Sequence, residues 1–137
     1  MIENGSSLVT LAIQDRVYGF VLRKDAAPDQ TTFYSHPDDS QQVGHIVYKK
    51  GSKIPRHVHR VVKRQVERTT EVLLVQTGTC KCHFHDGEGV VVITVELRTG
   101  DVLCILDGAH SFEFLQDTVM LEVKQGPYLG KDEKIIL

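Results

Sequence analysis

His57-Val58-His59 is the first group of side chains in this sequence whose type and spacing could do chemistry. In a strand, successive residues point to opposite faces, so the two imidazoles would project the same way, roughly 7 Å apart. Imidazoles so placed can converge on one ion at about 2 Å each, or they can pack or lie in solvent. Arg56, Val58 and Arg60 would take the other face. A second group, Glu71 to Gly78, opens an apolar run with a carboxylate and ends it on a glycine. A third runs from Gly100-Asp101 through an apolar stretch to Gly108-Ala109-His110, a turn that presents a histidine. Taken singly, each is bland: Glu71 is then a surface residue at a strand start, and His110 an ordinary histidine after a turn.

Taken in order, they carry more. Gly51, five residues and then His57-x-His59, followed by Glu71-x6-Gly78 and Gly100-Asp101…Gly108-x-His110, resembles the two motifs of the cupin superfamily. The resemblance covers roughly Val43 to Lys124 and implies an all-β, cupin-type jelly-roll β-barrel (a double-stranded β-helix) with its site at the mouth or interior. In that family the two histidines and the glutamate of the first motif and the histidine of the second bind Fe, Mn, Zn, Ni or a similar ion. They map onto His57, His59, Glu71 and His110. Three imidazoles and one carboxylate would leave open positions on a six-coordinate ion for substrate, water or O₂. The sequence departs from the pattern in three places. Eleven residues, Arg60 to Thr70, separate His59 from Glu71, a much longer spacer than the family's; a longer hairpin could absorb them, and Gln65 or Glu67 inside it could replace Glu71. Leu106 stands where a proline is usual, and the second motif is one residue short before His110. The ending Glu122 to Tyr128 resembles that of small one-domain cupins found with bacterial surface-polysaccharide genes, which points toward sugars or sugar derivatives.

Charge adds a second theme. Residues 49 to 68 hold eight Lys or Arg against Glu67 alone, a window of +7, so with a net charge of −2 the remainder is −9. Such a field can concentrate a small anion. Arg60, Arg64 and Arg68 could bind a carboxylate or phosphate, or form a solvated hairpin. Nucleic acid is a poor match, because the window has no aromatic residue and the whole chain is not basic. His45 shares a face with Val43 and Val47 and either lines a pocket or packs. His83 and His85 alternate with Cys82 and Phe84, which places them on the outer face. Cys80, Cys82 and Cys104 suit buried positions and lack zinc-finger spacing.

The elements that must position these residues are short strands: Leu8–Ile13, Val17–Leu22, Val43–Tyr48, Pro55–Val61, Glu71–Gln76, Thr79–His85, Val90–Leu97, Val102–Leu106, Ser111–Leu115 and Val119–Val123. Apolar runs between Gly or Asp turns give this pattern, and no helical period is sustained. The expectation is one domain over residues 1–137: N-terminal strands over 8–22, a barrel core over about 43–124, and an irregular tail over 126–137. No apolar run of about 18 residues could span a membrane. With no signal-peptide pattern and an odd number of cysteines, the expected place is the cytoplasm. The function expected is a metal-binding cupin, a small metal-dependent enzyme (a dioxygenase, or a sugar isomerase or epimerase) acting on a small anionic or sugar-derived ligand. The alternatives are a non-catalytic binding or sensor barrel, and a metal-free nucleotide-sugar isomerase using His57, His59 and tyrosines as acid–base groups. A homodimer is expected through the N-terminal strands, since open strand edges invite pairing.

Overall fold

The computed structural model describes residues 7–137 and, as backbone, Ile2 and Glu3. It is all-β apart from one 3-10 turn, Gly130–Glu133. Eleven strands follow in order: β1 (Ile2–Glu3), β2 (Leu8–Ile13), β3 (Arg16–Leu22), β4 (Thr32–Phe33), β5 (Gly44–His45), β6 (Glu71–Thr77), β7 (Thr79–His85), β8 (Val91–Arg98), β9 (Val102–Ile105), β10 (Ala109–Phe114) and β11 (Val119–Lys124). The packing divides into two units, one formed by residues up to Ala26 together with Thr69–Leu137, the other by Ala27–Arg68.

The first unit contains two antiparallel sheets. One runs β1-β2-β3-β9-β6-β11 and the other β10-β7-β8. Their alternation explains how they pack. In β7, Cys80, Cys82 and Phe84 are buried and the residues between them are not; β8 repeats this with Ile93, Val95 and Leu97. A period of two puts one set on one face. That face meets Leu11, Val21, Leu73, Val75 and Leu103 of the larger sheet in a single core. All three cysteines are buried, and burial pushes the Cys82 thiol up to about 12. At neutral pH it is therefore a small apolar side chain and not a thiolate ligand.

One buried carboxylate ties the turns together. Asp101, 5% exposed, accepts hydrogen bonds from Arg23 Nη1 at 2.8 Å, the Lys24 amide at 3.0 Å and the Arg98 amide at 3.0 Å. The Gly-Asp turn of the second motif is thus pinned to the end of β3.

The strands over 8–22 and 71–124 appear where the sequence places them, and the tail is irregular outside its 3-10 turn. Two differ. Val43–Tyr48 contracts to Gly44–His45, and Pro55–Val61 forms no strand. A strand needs a neighbour's backbone as well as alternating residues, and among the described residues none pairs with 55–61. The described strands of the first unit accordingly form two packed sheets and not the closed barrel expected. β3 lies between β2 and β9, while β1 pairs with only Val9 and Thr10 of β2.

The second unit is held locally. β4 and β5 pair Thr32 with His45 and Phe33 with Gly44. Gln42 Nε2 donates to the carbonyls of His36, Pro37 and Asp39, and Ser35 Oγ accepts the Val43 amide at 2.8 Å. Beyond Gly51 the chain runs exposed and without secondary structure to Arg68.

Candidate functional site

Gly108 brings the second motif's histidine into place. Its φ of +92° is left-handed, and a Cβ there would lie 2.6 Å from the Tyr18 ring, so glycine alone fits. The preceding Leu106 amide donates to the Tyr18 carbonyl at 2.9 Å. The turn then enters β10, where His110 stands opposite Phe84 of β7 and shares its inward face, with ring centroids 6.3 Å apart.

Glu71 arrives from the other sheet. It opens β6, between Ile105 of β9 and Lys124 of β11, and is 8% exposed. One carboxylate oxygen lies 3.1 Å from His110 Nε2, with the His110 side chain 28% exposed and that of Glu71 10%. Nδ1 of His110 lies 3.1 Å from the Gly108 carbonyl. With both ring nitrogens facing acceptors, the imidazolium is favoured. The hydrogen bond to Glu71 raises the His110 pKa above the ordinary imidazole value, against an opposing push from burial. The same bond holds the Glu71 carboxyl below the ordinary carboxylate range.

This pair lines a cavity of about 880 Å³ within the first unit. Phe112 and Met120 give it apolar wall, Glu122 and Lys124 of β11 give it charge, and the tail from Glu133 borders it. Lys124 Nζ lies 3.3 Å from Glu133 Oε2, which pins the start of that tail. Glu122 and Lys124 alternate on the strand paired with β6, so the register with Glu71 was their only sequence signal; Glu133 had none. His85 also borders the cavity. It lies on the face of β7 opposite Phe84, as the alternation requires, with Nε2 2.8 Å from Ser111 Oγ and Nδ1 3.1 Å from the Gly89 carbonyl. His83 shares that face and lies 2.8 Å from Thr94 Oγ1 and 3.5 Å from Glu113.

The remaining expected site residues belong to the second unit. His57 and His59 do lie together, their ring centroids 5.3 Å apart at 74°, in an exposed segment without secondary structure. His57 Nδ1 is 2.9 Å from the Pro55 carbonyl. His45 Nδ1 meets the Tyr34 hydroxyl at 3.0 Å, an internal contact. Arg60, Arg64 and Arg68 are exposed. Gln65 and Glu67 hydrogen-bond to each other at 3.1 Å. The expected ligands thus gather as two pairs, Glu71 with His110 and His57 with His59. Among the described residues no three His, Cys, Asp or Glu side chains form a group able to hold a metal ion. Nor do these residues include a helix long and apolar enough to cross a membrane.

No family model, curated protein or solved structure matches the chain.

Proposed function

We propose that this chain is a metal-binding cupin of enzymatic type, whose divalent ion is held by His57, His59, Glu71 and His110 and whose substrate is a small anionic or sugar-derived molecule. One observation carries the reading: Glu71 and His110, assigned together by motif order alone, meet at 3.1 Å beside a cavity of small-molecule size. The pair also fits an ion. A separation of 3.1 Å suits neighbouring ligands that each lie about 2 Å from a shared centre. The Gly108 carbonyl engages His110 Nδ1, which leaves Nε2 as the ligating atom, and Pro55 does the same for His57.

A bound divalent ion supplies Lewis acidity and open coordination positions there. The chain's own groups do the rest. Phe112 and Met120 exclude water from one wall, while Lys124 offers a cation to an anionic ligand. Arg60, Arg64 and Arg68 add an exposed cationic field that draws such ligands in and weakens with salt. Ion binding requires the proton between His110 and Glu71 to leave, since both then donate lone pairs.

A second reading has its own support. The Glu71–His110 hydrogen bond is complete without an ion, so the pair can serve as an acid–base centre, with His110 holding a proton at Nε2 and Glu71 accepting it. This is a metal-free reading on other residues than the His57, His59 and tyrosines expected for a nucleotide-sugar isomerase. Turnover against a panel of sugar phosphates and keto acids, with and without chelator, separates the two. Conversion abolished by chelation and restored by a divalent ion supports the metal-dependent enzyme. Conversion indifferent to chelation supports the acid–base centre. Absence of turnover across the panel contradicts both and leaves the non-catalytic binding module.

A further inference from the structure

β7 carries an irregularity that turns one histidine. Its ladder with β8 slips between Phe84 and His85, so that His85 faces Val91 after Phe84 has faced Ile93. A bulge of this kind re-aims the side chain beside it. Ser111 of β10 stands directly opposite His83, but the His83 ring is taken up by Thr94 Oγ1 at 2.8 Å and by Glu113 at 3.5 Å. The serine meets the diagonal neighbour instead: Ser111 Oγ lies 2.8 Å from His85 Nε2.

The far side of the ring fixes the direction of that bond. His85 Nδ1 lies 3.1 Å from the Gly89 carbonyl. A carbonyl only accepts, so Nδ1 holds the hydrogen. In the neutral imidazole Nε2 then carries the lone pair, and Ser111 is the donor. The orienting carbonyl is itself held by the hairpin. Asp86 Oδ1 accepts the amides of Glu88 and Val90, each at 2.9 Å, and Gly89 closes the turn at a φ of +84°. A hydroxyl, a base aimed at it and a third group orienting the base make up an activated serine nucleophile. Ser111 is exposed, and both side chains border the cavity. A donor for the developing negative charge lies next in the chain. The Leu115 amide donates to the Thr79 carbonyl, and hydrogen-bonded pairs alternate along an antiparallel ladder. Ser111 therefore bonds its own amide to β7, while the Phe112 amide points to the side of β10 where no described strand lies. An amide so placed can receive an oxyanion.

We propose that Ser111 and His85 form a nucleophile–base pair that hydrolyses a small carboxylic ester held in the cavity, a second activity that needs no metal ion. Ser111 Oγ bonds to the ester's carbonyl carbon as its proton passes to His85 Nε2. The bond from that carbon to the alcohol oxygen breaks, and the departing oxygen takes the proton. Water then adds to the acyl carbon on Ser111 and gives a proton to Nε2. The bond from carbon to Oγ breaks, Oγ recovers the proton, and the free acid leaves. Phe112 and Met120 supply apolar wall for the acyl chain.

The full chain, in chelator throughout, is treated with a fluorophosphonate probe and its labelled peptides are mapped. Release of p-nitrophenol from p-nitrophenyl acetate is followed alongside. The pair predicts label on Ser111 and a burst of about one p-nitrophenol per chain, both lost in Ser111→Ala. His85→Gln, which cannot take up the proton, should slow both by at least about 100-fold. His83→Gln, on the same face of β7, should leave both at the wild-type rate. Wild type that takes no label, label on other residues in place of Ser111, His85→Gln labelled as fast as wild type, or equal slowing in His83→Gln overturns the pair. The proposed metal centre is judged separately. A chain that binds metal but takes no label at Ser111 loses the pair and keeps the centre, and one labelled at Ser111 that binds no metal does the reverse.

Discussion

Nε2 of His110 and a carboxylate oxygen of Glu71 lie 3.1 Å apart across two different sheets, thirty-nine residues apart in the chain. The contact joins β10 to β6 at the cavity and sets the charge state of both groups. Ligation and proton transfer would both use the same two atoms.

Without bound ion, the pair should make stability depend on pH in two directions. Glu71 has a folded pKa below its ordinary 4.5. Its contribution is present above 4.5 and is lost as pH falls through the lowered value. His110 has a folded pKa above its ordinary 6.5. Its contribution is full below 6.5 and is lost as pH rises through the raised value. Urea unfolding of chelated protein should therefore show a plateau between about pH 4.5 and 6.5, falling on both sides. His110→Ala should remove the alkaline fall and cost about 1–3 kcal/mol within the plateau. An unaltered alkaline limb in that variant would refute the assignment.

Asp101 is the second strong expectation. Its carboxylate accepts from Arg23 and from the amides of Lys24 and Arg98 while almost fully buried. Asp101→Ala leaves the two amides unmatched and Arg23 Nη1 with only the Glu96 carbonyl, and should cost about 2–4 kcal/mol in urea unfolding. Asp101→Asn keeps the shape but loses the charge and one acceptor, and should cost less. Wild-type stability in Asp101→Asn would show that shape, not charge-assisted bonding, matters at this turn.

Gly108→Ala should damage the site more than its size suggests. A left-handed alanine costs about 1–2 kcal/mol, and its Cβ would press on Tyr18 at 2.6 Å. Relief requires the turn before His110 to move. Metal affinity should drop together with stability, whereas Gly87→Ala, which meets nothing within 4 Å, should leave both nearly unchanged. Wild-type metal affinity in Gly108→Ala would show that the turn does not aim the histidine.

Much of this architecture was legible in the sequence, for a physical reason. Thr79–His85 alternates cleanly, Leu8–Ile13 alternates up to its bulge at Leu11, and both find their partners nearby, so their ends match the sequence reading residue for residue. Pro55–Val61 alternates equally well and is not a strand, because alternation reports which faces differ and not whether a second backbone is present. The meeting of Glu71 and His110 came from motif order; no periodicity links residues on different sheets. Lys124 and Glu133 went unnoticed because their pairing depends on the path of an irregular tail, which Gly126 and Pro127 marked as irregular without saying where it would go.

The most direct test of the central claim is elemental analysis of untagged protein, purified without added metal and then offered Fe, Mn, Zn and Ni in turn. The proposed centre predicts close to one divalent ion per chain. Occupancy should fall at least about tenfold in His110→Ala and in His57→Ala, since each removes an ion ligand, with circular dichroism unchanged. Wild-type protein that takes up none of the four, or His110→Ala that keeps full occupancy, would contradict it.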